Sequence, residues 1–203
     1  QDKVIEALAE VNPNLAVVII SGNAVAMPWI DNVNAVVEGW YSGSQMGHAI
    51  ADVLFGKVNP SGKLTMTFPR NVGQIPIYYN HKHTSHRAKG TEGNLDNIPR
   101  EGRQSVMGHT SSYLDVAPSP LFHFGYGLSY TTFEYSGLNI AEDGGEFVVS
   151  FNVKNTGKVA GAEVAQVYVG DDECRLIRPA KEPKGFDKIH LNPGFKGYII
   201  SVF

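Results

Sequence analysis

A chain of 203 residues, 42% hydrophobic and 18% charged, can bury one large or two small cores, which excludes disordered and fibrous classes. Its formal charge of -3, from 17 basic and 20 acidic residues, offers no basic surface for neutralising phosphates, so no nucleic-acid partner is expected. The longest apolar run, Leu15 to Ile20, falls far short of the roughly 20 residues that span a bilayer, and the single cysteine, Cys174, excludes an internal disulfide.

Val4, Ile5 and Leu8 recur at helical spacing, and Asn12-Pro13-Asn14 stops the chain there, which predicts a helix over 2–10. Gln1 has no charged or apolar leader behind it, so the start reads as internal to a longer protein. Leu15 to Ile20 has strand length and β-branched residues, the pattern of a strand covered on both faces of a parallel sheet. A second strand is predicted over 35–40. A loop through Ser42-Gly43-Ser44-Gln45-Met46-Gly47 leads to a helix over 48–55, which Gly56 can close in the left-handed conformation. Asn59-Pro60-Ser61-Gly62 turns the chain into an alternating segment, Lys63 to Phe68, read as a strand.

From Pro69 to Leu121 more than about fifty residues lack any periodic pattern, a length that implies a functional loop or a neighbouring surface to lie on. Pro120 to Tyr135 is dense in aromatics spaced by glycines, which predicts a connector packed into both halves of the chain. After it, Phe147, Val149, Phe151 and Val153 alternate as a strand with one buried face, and Val164 to Val169 forms another. Lys188 to Leu191 and Tyr198 to Phe203, joined by Asn192-Pro193-Gly194, read as a hairpin. The predicted order is an α/β unit with a mostly parallel sheet over 1–69, a long loop and connector over 70–135, and an all-β sandwich over 136–203. Only about 65 residues follow the connector, against about 100 for an immunoglobulin-like sandwich, so the β module reads as incomplete and its last strand as an open edge.

The chemistry-bearing residues point to no complete catalytic set. His81, His83 and His86 lack a cysteine or carboxylate at a zinc-site offset, which favours a structural or substrate-facing role over metal. Ser21 and Ser44 follow strands, where open α/β sheets bind ligands, yet neither sits in a hydrolase elbow, and no glycine-rich phosphate fingerprint calls for a cofactor. Glu38 and Asp52 read as surface or capping groups, and Glu92, Asp96 and Glu101 show no partner carboxylate of the kind a glycosidase needs.

Together these residues resemble the C-terminal half of a bacterial β-glucosidase of glycoside hydrolase family 3. The marks are Gly39-Trp40-Tyr41 with Gly43-Ser44, Ala49 to Gly56, Val58 to Leu64, Thr67 to Arg70, Val72 to Pro76, Tyr78 to His81 and Tyr113-Leu114-Asp115. Further on come Phe124 to Tyr130, Val153 to Gly157, Arg178-Pro179 and Lys184-Gly185-Phe186. The resemblance implies part of the family's α/β sandwich followed by a truncated fibronectin type III-like module. It implies that the (β/α)8 barrel with its aspartate nucleophile, and the acid/base glutamate, lie upstream of Gln1, leaving no catalytic residue in this chain. It also implies a β-glucoside or oligosaccharide substrate, no cofactor, no membrane partner and a periplasmic or extracellular setting. Ser44, Gln45, His81, His83 and Arg87 are the residues it puts at the rim of the substrate pocket. Gln45 stands where relatives often carry Glu, Ser85-His86-Arg87 replaces Thr-Gly-Arg, and the tail after Gly194 departs from the family pattern. The alternative is a non-catalytic carbohydrate-binding or interaction module using Trp29, Trp40, Tyr78 and Tyr79.

Overall fold

The computed structural model describes residues 1–82, 116–171 and 173–203. The chain divides into two compact units, one of Gln1–Met46 with Met66–Phe124, the other of Gly47–Thr65 with Gly125–Phe203. The aromatic connector is shared out accordingly: Pro120 to Phe124 fold with the first unit and Gly125 to Tyr135 with the second.

In the first unit, helix α1 (Asp2–Val11) half-buries Ile5 and Ala9 and ends where the Asn12 N–H bonds the Leu8 carbonyl at 2.9 Å. Asp2 sits in the first turn, where a negative charge suits the helix dipole, and accepts the indole N–H of the buried Trp29 at 2.9 Å. Strands β1 (Ala16–Ile19) and β2 (Ala35–Glu38) pair in parallel from Ala16↔Ala35 to Ile19↔Glu38. Asn34 sets this register, because its side chain accepts the Leu15 N–H at 3.0 Å and its N–H returns to the Leu15 carbonyl at 2.9 Å. Val17, Val18 and Ile19 of β1 are half-buried among the described residues.

In the second unit, nearly all of helix α2 (Met46–Leu54) belongs with the β module, and Gly56 closes it at φ +71° as its sequence position predicts. The strand expected over Lys63 to Phe68 does not form. Leu64 instead exchanges two bonds with the connector, its N–H to the Tyr126 carbonyl at 2.8 Å and its carbonyl to the Gly125 N–H at 2.7 Å. Gly127 permits this approach, because a Cβ there would collide with the Gly62 carbonyl oxygen. The Asn59 side chain accepts from the Ser129 hydroxyl (2.9 Å) and the Tyr130 N–H (2.8 Å) and donates to the Ala160 carbonyl (3.0 Å). Lys63 donates to the Gly127 carbonyl at 2.8 Å and to Glu163 at 3.1 Å, and the other Glu163 oxygen accepts the Tyr135 hydroxyl at 2.9 Å. Burial, and then this carboxylate, push the Tyr135 phenol above its ordinary pKa.

The β module is a two-sheet sandwich. Strands β3 (Phe133–Asp143), β4 (Glu146–Asn155) and β7 (Lys196–Val202) form one antiparallel sheet in the order β3-β4-β7, and β5 (Gly161–Val169) pairs with β6 (Glu182–Leu191) in the other. Val149, Phe151, Val153, Ala165, Leu191 and Ile199 fill the space between them, the larger ones contributing about 1.5–3 kcal/mol each. The hairpin expected at 188–203 is corrected: β6 and β7 belong to different sheets, and the Asn192-Pro193-Gly194 turn carries the chain across the sandwich. Ile189 meets Gly197 there, across the core, where a Cβ would strike the Ile189 side chain. The tail that departs from the family pattern nonetheless pairs in register with β4, Val202 against Val148 through Lys196 against Lys154.

Asn155, fully buried at 0% exposure, joins this sandwich to its approaches. Its oxygen accepts the Thr131 hydroxyl (2.7 Å) and the Gly157 N–H (3.0 Å), and its amide donates to the Val159 and Leu191 carbonyls (both 2.9 Å). Every lone pair and N–H of the side chain is thus used. Asn155→Ala, which orphans these partners in the interior, is expected to lower unfolding free energy by about 3 kcal/mol in urea denaturation. Gly127→Ala is expected to cost about 1–3 kcal/mol in the same assay through the collision with Gly62.

Candidate functional site

The C-terminal ends of parallel strands are where open α/β sheets place ligands, and the loops after β1 and β2 meet that description. After β1 the Ser21 hydroxyl donates to the Asn23 carbonyl at 2.8 Å. After β2 the chain turns sharply. Glu38 Oε1 accepts the Trp40 N–H at 2.9 Å, and Trp40 itself is left-handed at φ +49°, a conformation that costs a residue with a Cβ about 1–2 kcal/mol. That kink sends neighbouring side chains opposite ways. Trp40 packs edge-on against the buried Phe68, ring centres 5.9 Å apart, while Tyr41 stays 77% exposed with its ring lying against Gly22. The Ser42 hydroxyl bonds back to the Gly39 carbonyl and a 3-10 turn over Gly43–Gln45 follows, holding Ser44 and Gln45 in solvent.

Glu38 is therefore more than a surface group. Its second oxygen, Oε2, is buried and has no hydrogen-bond partner. Desolvation raises the carboxyl pKa, opposed by the hydrogen bond from the Trp40 N–H and, less, by the Ser21 hydroxyl. Sequence reasoning missed this; the signal was a carboxylate at the end of a buried-type strand, one step before Gly39-Trp40. Asp52, by contrast, is the surface group expected, paired with Lys57 at 3.0 Å.

The second part of the site is the neck of the long loop. Phe68 and Phe122 form an antiparallel bridge, with Phe68 N–H to the Phe122 carbonyl and Leu121 N–H to the Phe68 carbonyl, both at 2.9 Å. Below it Gln74, only 2% exposed, accepts the Arg70 N–H at 2.7 Å and donates to the Ala117 carbonyl at 2.7 Å. Asn71 caps the short turn Val72–Gln74 by accepting the Gly73 N–H at 2.8 Å, and the Arg70 guanidinium reaches the Ser119 carbonyl at 3.1 Å. Tyr79 stacks on Phe124 with ring centres 4.4 Å apart, leaving Tyr78 exposed and leading to His81, also exposed. His83 and Arg87 lie outside the described residues, as do His86, Glu92, Asp96 and Glu101. Gln74 went unrecognised in the sequence because a buried amide looks like a surface one; the Asn71-x-x-Gln74 spacing of a capping box was its trace.

Of the aromatics assigned to a binding module, Trp29 is buried, Trp40 half-buried and Tyr79 stacked, so only Tyr78 is free to meet a ligand. A groove of about 640 Å³ lies elsewhere, between Glu6 and Glu10 of α1 and Asp31 to Asn34, and includes no predicted rim residue. Among the described residues no three His, Cys, Asp or Glu side chains group as a metal site, and no helix is long and apolar enough to cross a membrane.

Residues 1–130 match the family model of the glycosyl hydrolase family 3 C-terminal domain. The chain belongs to that family. Residues 163–197 match a fibronectin type III-like domain, which fits the sandwich of β3 to β7. Over 197 residues this family 3 chain is 45% identical to Beta-glucosidase BoGH3A of Bacteroides ovatus, covering 95% of the chain and 25% of that protein. It is likewise 45% identical to Thermostable beta-glucosidase B of Acetivibrio thermocellus, over 96% of the chain and 25% of the relative. The crystal structure of a beta-glucosidase from Listeria innocua in complex with glucose superposes with a TM-score of 0.86 at 31% identity, over all of this chain and 27% of that one. The chain thus spans about a quarter of the length of the curated relatives it matches.

The raised Glu38 pKa makes a signed prediction. A carboxyl harder to ionise when folded binds more protons in the native state, so its contribution to stability falls as pH rises through the folded pKa. Glu38→Gln keeps the acceptor for Trp40 and cannot ionise. Its stability relative to the parent is expected to rise between pH 3 and pH 7, read from urea midpoints; a difference that is flat or falls with pH contradicts the desolvated carboxylate.

Proposed function

We propose that these residues form the C-terminal part of a retaining, exo-acting family 3 β-glycosidase, a β-glucosidase that releases terminal β-D-glucosyl units. The observation that carries this reading is the 45% identity to two beta-glucosidases over at least 95% of the chain. In such an enzyme an aspartate attacks the anomeric carbon while an acid protonates the departing oxygen, and water then cleaves the glycosyl-aspartate with the same acid acting as base. Both carboxylates belong, in this reading, to the upstream barrel and to the sandwich segment ahead of Gln1. Glu38 fills neither role, because retention needs two carboxyl groups about 5 Å apart and no second carboxylate is among the groups that shift it.

What this chain contributes is position. The turn after β2 presents Ser44 and Gln45, and the segment leaving the neck presents His81, with His83 and Arg87 following it, as polar groups for sugar hydroxyls at the pocket rim. The reaction needs only a nucleophile and an acid/base, so it calls for no cofactor.

The isolated 203-residue chain is expected to hydrolyse p-nitrophenyl β-D-glucoside at the buffer rate, since general acid catalysis alone supplies about 10²–10⁴-fold. The longer polypeptide that contains it is expected to turn the substrate over. Hydrolysis by the 203-residue chain, abolished in Glu38→Gln, overturns the assignment.

A further inference from the structure

Strand β7 carries apolar side chains on both of its faces. Ile199 is buried inside the sandwich opposite Phe151, whereas Tyr198, Ile200 and Val202 alternate with it on the outer face, opposite Asn152, Ser150 and Val148, and each is more than half exposed. The strand is also an edge, since among the described residues it pairs only with β4. The other edges of the module are blunted. β3 holds Glu134, Glu142 and Asp143 and a register shift after Ser136, β5 shifts register at Val167, and β6 holds Pro183 beside Glu182 and Lys184, then Asp187 and Lys188. Charges, prolines and bulges are the devices that keep a strand edge from pairing with another chain. β7 is bare by comparison: its register against β4 runs unbroken from Val148↔Val202 to Lys154↔Lys196, it has no proline, and its one charge, Lys196, lies at its start.

We propose that the free edge of β7 pairs with β7 of a second copy of this chain, antiparallel across a two-fold axis at Ile200, so that two three-stranded sheets join into one of six strands. The strand is self-complementary in that register. Ile200 faces the partner's Ile200 and Tyr198 faces the partner's Val202, cross-strand pairs of the β-branched and aromatic kinds that favour sheets, and the outer apolar row runs on across the axis. The two Lys196 side chains stand at opposite ends of the pairing, so no like charges meet. A second copy is favoured over a foreign strand because the unpaired ladder and the side chains that match it both lie in β7. Each copy offers the same patch, so association closes at two, and the joined sheet then ends on the blunted β3 edges. The inference is independent of the β-glucosidase reading.

The test measures the mass of the full-length polypeptide that contains these residues by sedimentation equilibrium. A dimer is expected, with a dissociation constant of about 1–100 µM, as suits a small interface. Ile200→Lys and Ile200→Glu each set like charges against one another at the axis, and each is expected to raise that constant at least about a hundredfold. An equimolar mixture of the two variants is expected to dimerise again, because opposite charges then face each other. Ile200→Thr keeps a β-branched strand former with less apolar surface and is expected to weaken the dimer about tenfold; it decides the matter if the charged variants lose their cooperative urea transition. A parent that stays monomeric up to about 100 µM or assembles beyond two copies overturns the proposal. So does a folded Ile200→Lys, or failing that Ile200→Thr, that dimerises as well as the parent, and so does a mixture of folded charged variants that stays monomeric.

Discussion

The carboxamide of Gln74 is the constraint on which the first unit depends. Bringing Pro69 and Leu121 together across about fifty residues costs roughly 3.5 kcal/mol of loop-closure entropy before any side chain is ordered. The Phe68–Phe122 bridge, the two Gln74 bonds to Arg70 and Ala117, and the Arg70–Ser119 bond each return about 1 kcal/mol. Burial of Phe68 adds about 1.5–3 kcal/mol, so the neck closes with a modest surplus. A family 3 chain can therefore carry a long excursion and still fix where its ends leave the fold, which decides where Tyr78, Tyr79 and His81 stand.

The second unit solves a similar problem with the same chemistry. Asn59, Lys63 and Asn155 are polar side chains turned inward, each bonded to backbone groups that no strand ladder reaches. They gather the stretch after α2, the glycine-spaced connector and the start of β5 into one body. Removing one partner of the Lys63–Glu163 pair would leave a charge in a nearly closed setting, with side-chain exposures of 15% and 13%, so the pair matters more than a surface ion pair. The glycines complete the design, since Gly125 at φ +79° and Gly127 against Gly62 let backbone meet backbone where a Cβ would not fit.

These devices explain which parts of the fold the sequence disclosed. Helices α1 and α2, strands β1, β2, β4 and β5, and the closing role of Gly56 all follow from periodicity and turn chemistry, because burial on one face writes a regular pattern. Strand β3 was missed: Phe133 and Tyr135, then Leu138 and Ile140, alternate with polar residues, but the two short runs fall out of phase across Gly137, where the register shifts, although Gly144-Gly145, both at positive φ, is the hairpin turn that ends it. Lys63 to Phe68 alternates like a strand but has only a short connector to pair with. Asn192-Pro193-Gly194 looks like a hairpin turn, and nothing local distinguishes one that stays within a sheet from one that crosses between sheets. At the site, the exposed turn with Ser44 and Gln45 was legible from its glycines. The roles of Glu38 and Gln74 were not, since a polar residue made important by burial carries no sign of it in composition.

Function follows from this division of labour. In the β-glycosidase proposed above, the chain supplies strand ends, a clamped neck and a braced β module, and the carboxylates that would break the glycosidic bond are proposed to lie elsewhere. The measurement that tests the clamp most directly is native-state amide hydrogen exchange in the parent and in Gln74→Ala. The amides of Phe68, Arg70 and Leu121 are expected to be protected to the level of the β4 core amides in the parent, and to lose that protection in the variant while β4 keeps its own. Neck amides that exchange at free-peptide rates in the parent, or that keep full protection without the Gln74 side chain, would contradict it.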